Sequence, residues 1–267
     1  MSVLLAALAL AALVLGWIVG TPLLRRRRRA RLLASPLPGP ARAALARTRA
    51  WRRLPRALRP RLAERVRVFL AEREFAGCGG LAVTDAMRIE IAAQACLLIL
   101  NRSEHVFDEL RAILVYPDEF VVRDDVEEHG VVTERERTLS GQSWQTARIL
   151  LSWRDVQDAG DGYNVVIHEF AHYLDHEEGA ANGTPRLDGP RDYARWAEVM
   201  QRAFDALEAR AARGEDTLLD PYGIEDEAEF FAVASEAFFE LPGELRAEHP
   251  ELYAELAGFY RLDPAQW

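Results

Sequence analysis

The residues best placed to do chemistry are His168-Glu169-Phe170-Ala171-His172, an HExxH run within the apolar stretch Asn164 to Asp175. Two histidines four residues apart share one face of an α-helix, about 6 Å apart along its axis. Both imidazoles can then reach one Zn²⁺ at about 2.0–2.1 Å. The glutamate beside the first histidine can face a metal-bound water and take its proton. Val165, Val166, Ile167, Phe170, Ala171 and Leu174 form an apolar stripe around the motif. That pattern predicts a buried helix, and a buried helix rarely carries His, Glu and His without partners.

A catalytic zinc site needs three protein ligands and one open position. His176 continues the four-residue spacing, but on an unbroken helix it stands about 12 Å from His168 along the axis. Glu178 would need a chain reversal where the sequence has Asp175 in place of a glycine. Asp175 itself reads as an acceptor that orients a ligand imidazole or caps the helix end. The strongest candidate is Glu229, on an apolar helix starting near Glu227 and continuing through Phe230, Phe231, Val233 and Phe238. Packed across the first helix, it would complete a His-His-Glu site. Glu236 lies two turns further along the same face and is the rival, with a solvated helix glutamate as its ordinary reading.

These blocks, with Ile91 to Leu98, Ile113 to Phe120 and Ile149 to Trp153, resemble the Mlc titration factor A family of zinc metallopeptidases over roughly residues 60–264. The motif pair is also similar to the protease domain of lethal-factor-type toxins. The resemblance implies one Zn²⁺ per chain, a gluzincin-type peptidase fold and aminopeptidase-like activity on a peptide or protein substrate. It also implies that Tyr222, seven residues before Glu229, stabilises the transition state, and that some members bind a sugar-uptake repressor. An alternative function follows: a membrane-tethered protein that sequesters a transcriptional regulator, its zinc site secondary.

The charge is split along the chain. All 33 basic residues are arginine; residues 1–60 hold 13 of them and no acid, and the remainder holds all 42 acids. The acidic body argues against a nucleic-acid partner for the catalytic part. Cys78 and Cys96 form no C-x-x-C pair, so neither a zinc ribbon nor a disulfide framework is indicated.

Val3 to Leu24 is an uncharged apolar run followed by Arg25 to Arg29 and Arg31. A run of about 22 residues can cross a hydrocarbon core of about 30 Å, and the positive flank should stay in the cytoplasm. The expectation is a single-pass anchor, residues 1–24, in the inner (cytoplasmic) membrane, with the catalytic domain in the cytoplasm. An Arg/Pro-rich tether, residues 25–60, could lie on anionic membrane lipid. The metallopeptidase domain would span residues 61–267.

Within that domain the patterning predicts a helix over Arg61 to Arg73 and one capped by Thr84 and running to about Leu100. Strands follow around Tyr116-Pro117-Asp118, over Val131 to Leu139 and over Ala147 to Trp153. Then come the motif helix, a helix from Tyr193 to Ala212, the Glu229 helix and a terminal helix near Glu251 to Tyr260. This order points to an α+β fold: a zincin-like domain with a small sheet packed on the HExxH helix and a helical C-terminal half, behind an N-terminal transmembrane helix.

Overall fold

The structure, a computed structural model, describes residues 20–103, 105–118, 120–128, 131–139, 141–144, 147–176 and 181–267. Helix α1 covers residues 20–33. Two short helices follow, α2 (Gly39–Arg47) and α3 (Arg49–Arg53), separated by Thr48, whose side chain accepts the Trp51 N–H. Proline-led α4 (Arg59–Glu72) buries Leu62, Val66 and Phe69 at helical spacing.

Strand β1 (Glu74–Gly77) leads through α5 (Asp85–Leu98) to β2 (Ala112–Tyr116), which pairs with it in parallel. Parallel neighbours need such a crossover because a tight turn can only reverse the chain. Thr84 caps α5 as its sequence position suggested, accepting the Met87 N–H at 3.3 Å. Strands β3 (Phe120–Glu128) and β4 (Val131–Leu139) form a separate antiparallel pair. Next come β5 (Gly141–Trp144) and β6 (Arg148–Ser152), giving a four-stranded sheet of order β1-β2-β6-β5. Its first three strands are parallel and β5 is an antiparallel edge. The last expected strand stops at Ser152, because the Ser152 hydroxyl caps a short helix, α6 (Trp153–Gln157).

The remaining helices are α7 (Val165–Asp175), α8 (Pro190–Ala212), α9 (Glu227–Glu240), α10 (Pro242–Glu248) and α11 (Pro250–Tyr260). Helix α7 carries the HExxH run and lies against α5, β5, β6 and α9. Its buried face ends in an aromatic cluster. The Phe170 ring centroid is 5.1 Å from Phe107 and 5.8 Å from Phe69, in edge-on and tilted arrangements.

Two expectations are corrected. The described chain is mostly helical, and its small sheet is built on three parallel strands joined by long connections, so the α+β class does not describe it. Local strand patterning could not reveal which strands run parallel.

The transmembrane helix is corrected as well. Residues 1–19, which hold most of the apolar run, lie outside the described residues. No described helix is long and apolar enough to cross a membrane. Helix α1 contains six arginines, and Arg29 is buried in ion pairs with Glu72 at 2.7 Å and Asp108 at 2.5 Å. The Arg29 charge is met by these two acids of the body. The single-pass inner-membrane location built on that anchor is corrected with it.

Candidate metal centre

Helix α7 begins with Val165, Val166 and Ile167, β-branched residues that are mediocre helix formers. A cap and burial compensate. The Asn164 side chain accepts the Ile167 N–H at 3.1 Å, and Val165, Val166 and Ile167 are almost fully buried. The turn is thus fixed just where His168 must emerge. Helix α9 starts in the same way: Asp226 accepts the Glu229 N–H at 2.8 Å. That cap sets Glu229 in the first turn, where the helix dipole favours a carboxylate.

The two helices bring three metal-ligating atoms together. Glu229 Oε2 stands 3.0 Å from His168 Nε2 and 3.3 Å from His172 Nε2, and the two Nε2 atoms are 3.2 Å apart. Ligands at about 2.0–2.1 Å around a tetrahedral ion lie about 3.3 Å from one another. Glu229 Oε2 is buried and makes no well-formed hydrogen bond to either ring. The donor set therefore fits a divalent cation. His176 ends α7 outside this group, and Glu178 lies outside the described residues.

Electrostatics follow the geometry. Burial would raise the Glu229 carboxyl, but the two imidazoles beside it outweigh burial and hold it well below the usual range. Burial would lower His168, but Glu229 and Glu236 on either side of the ring raise it well above its ordinary value. Glu169 is 4% exposed, and one carboxylate oxygen has no hydrogen-bond partner among the described residues. Burial pushes its carboxyl up to about 7, partly opposed by His168 and His172.

Tyr222 sits on a 3₁₀ turn, Pro221–Ile224, with its ring centroid 6.2 Å from that of His168. It is 43% exposed. The turn packs on α9, with Gly223 facing Val233: a Cβ there would stand 3.4 Å from the Val233 Cβ, in ordinary van der Waals contact.

Sequence reasoning weighed Glu236 only as a ligand and did not see it as a partner behind the centre. Glu236, the rival ligand, faces the other side of the ring: His168 Nδ1 donates to its Oε1 at 2.8 Å. A carboxylate can only accept, so Nδ1 carries a proton; on binding a metal the ring would give up its Nε2 proton and offer that lone pair, with Nδ1 still held by Glu236. The Asn164 N–H also donates to Glu236. Among the described residues Asp175 hydrogen-bonds no imidazole; its Oδ2 accepts the Gly183 N–H. The seven-residue step from Glu229 to Glu236 was the available signal, since one helix face can meet both nitrogens of a single histidine.

Comparison with known proteins agrees with this class of site. Residues 23–261 match the family model described as glucose-regulated metallo-peptidase M90. The class is thus that of the metallopeptidases, which use a metal cofactor. An uncharacterized protein of Synechocystis sp. is 40% identical over 212 residues, 77% of this chain and 77% of that protein. Mlc titration factor A of Pectobacterium atrosepticum is 39% identical over 202 residues, 73% of this chain and 76% of its own. Mlc titration factor A of Yersinia pestis is 35% identical over 201 residues, covering 73% and 74%. The chain belongs to the glucose-regulated metallo-peptidase M90 family.

Proposed function

We propose that the protein is a zinc-dependent peptidase of the HExxH, gluzincin type with aminopeptidase-like activity. The convergence of His168 Nε2, His172 Nε2 and Glu229 Oε2 within 3.3 Å carries this reading. Two imidazoles and one carboxylate, with a fourth position open, suit a catalytic Zn²⁺. When bound, the metal supplies Lewis-acid polarisation of the substrate carbonyl and acidification of a water.

The side chains divide the remaining work. Glu169 accepts the proton of the attacking water and delivers it to the leaving amine. Tyr222 donates a hydrogen bond to the developing oxyanion from the exposed side of the centre. Glu236 holds His168 in the tautomer that points Nε2 inward.

Metal analysis of the purified protein, paired with a screen of aminopeptidase and endopeptidase substrates, tests the reading. One zinc per chain is expected. Glu169→Gln should keep the metal and the fold while peptidase activity drops by roughly 10²–10⁴-fold, the usual scale for a general base. A variant as fast as wild type sinks the hydrolytic mechanism.

A second reading has its own support. Two relatives carry the name Mlc titration factor A, which favours binding of a transcriptional regulator by this chain as well. A pull-down with Glu169→Gln protein separates the two, because regulator binding does not need the base.

A further inference from the structure

Helix α9 presents three carboxylates along one side: Glu229, Glu236 seven residues on and Glu240 four residues beyond that. Glu236 and Glu240 are 4% and 5% exposed. Two buried like charges one turn apart repel each other, and a buried charge needs a partner. Glu236 has His168 and the Asn164 N–H. Glu240 is held from the N-terminal segment. Its Oε2 lies 2.8 Å from an Arg49 nitrogen and 2.7 Å from Arg53 Nη1, and Arg53 Nη2 donates to the Glu240 carbonyl at 2.8 Å. The other oxygen, Oε1, accepts from Asn164 Nδ2 at 2.8 Å. Asn164, 2% exposed, therefore joins both carboxylates and caps α7 as well. Arg49 also donates to the Ala159 carbonyl, in the turn just before α7.

We propose that Arg49 and Arg53, on α3 of the Arg-rich N-terminal segment, are positioning residues for the metal centre. They act on His168 through Glu240, Asn164 and Glu236. The physical reason is charge. The two guanidinium groups neutralise Glu240, so Glu236 can stand one turn away as the acceptor that orients His168. With the arginines gone, Glu240 is a buried anion without a cation. It would swing toward solvent and release Asn164 Nδ2, and the Asn164–Glu236–His168 contacts would loosen. The proposal rests on the reading of His168, His172 and Glu229 as metal ligands.

Zinc affinity, measured by competition with a chromogenic chelator, and the visible absorption of the cobalt-loaded full chain test the coupling. The double variant Arg49→Met/Arg53→Met should bind zinc 10–100-fold more weakly, the scale of losing an outer-shell partner, with altered cobalt bands. Arg49→Lys/Arg53→Lys should restore most of that loss, and Arg52→Met, at an exposed position of the same helix, should change neither readout. Asn164→Ser keeps a capping oxygen but loses the Nδ2 donor, and it should weaken zinc in the same direction. That variant decides the matter if the double variant fails to fold. A purely structural role would lower the melting temperature while zinc affinity and cobalt bands stay as in wild type, and that result overturns the proposal. Wild-type protein that binds no zinc at all overturns the metal reading itself, and the proposal falls with it.

Discussion

Asp175 Oδ2 accepts the backbone N–H of Gly183 at 2.7 Å, tying the end of the metal-centre helix α7 to the loop that precedes α8. The Gly183 carbonyl in turn accepts the Trp196 indole N–H at 2.9 Å. Gly183 is wedged against the start of α9: its φ is +70°, and a Cβ there would meet the Glu227 carbonyl oxygen at 2.3 Å. One residue thus sits between the helix with the two histidines and the first turn that carries Glu229. Gly183→Ala should destabilise the fold by about 2–3 kcal/mol, from left-handed strain and the clash. Zinc affinity should fall with it, because the first turn of α9 must move. Urea unfolding with an unchanged midpoint would show that the loop yields without cost.

The third ligand is open to direct comparison. Glu229→Gln should lower zinc affinity by orders of magnitude, since a neutral amide is a poor ligand. Glu236→Gln, on the far side of the His168 ring, should cost only about 10–100-fold. His176→Ala should leave one zinc per chain. Equilibrium dialysis that finds Glu236→Gln the more damaging of the two glutamate changes would reverse their roles.

Phe170 links the site to the core, between the Phe69 and Phe107 rings. Phe170→Ala should destabilise the protein by about 3–5 kcal/mol, and Phe170→Leu by less, because leucine refills part of the cavity. Denaturant titration of both variants checks the order; equal losses would mean that shape, rather than volume, governs the cluster.

Acid sensitivity should arise where α1 docks. Burial would raise the Glu72 and Asp108 carboxyls, but hydrogen bonds from Arg29 outweigh it and hold both below their ordinary values of 4.5 and 3.8. A carboxylate whose folded-state value is depressed stabilises the fold fully above its unfolded value, and that stability is lost as pH falls through the folded one. The contribution should therefore be constant near neutrality and disappear below about pH 4. Arg29→Met removes the cause, so its stability should fall less steeply with acid than that of wild type. Parallel slopes in denaturation midpoints between pH 5 and pH 2.5 would place the acid sensitivity elsewhere.

The local parts of the site were legible in the chain itself. Spacing alone put His168 and His172 on one helix face, the apolar residues around them required burial, and Thr84 announced the start of α5. A helix period, a hydrophobic stripe and a cap are short-range properties, and they survive without knowledge of the fold. Long-range partners had no such signature. Glu229 and Glu236 were both plausible ligands until packing of α9 on α7 set one against Nε2 and the other against Nδ1 of the same ring. Arg49, Arg53 and Arg29 read as parts of an exposed, lipid-facing segment because their charge demanded a solvent or an anion. Only the folded chain supplied those anions, from Glu240, Glu72 and Asp108. A charged residue declares that it needs a partner; which partner it finds depends on distances across the fold, and tertiary packing sets them.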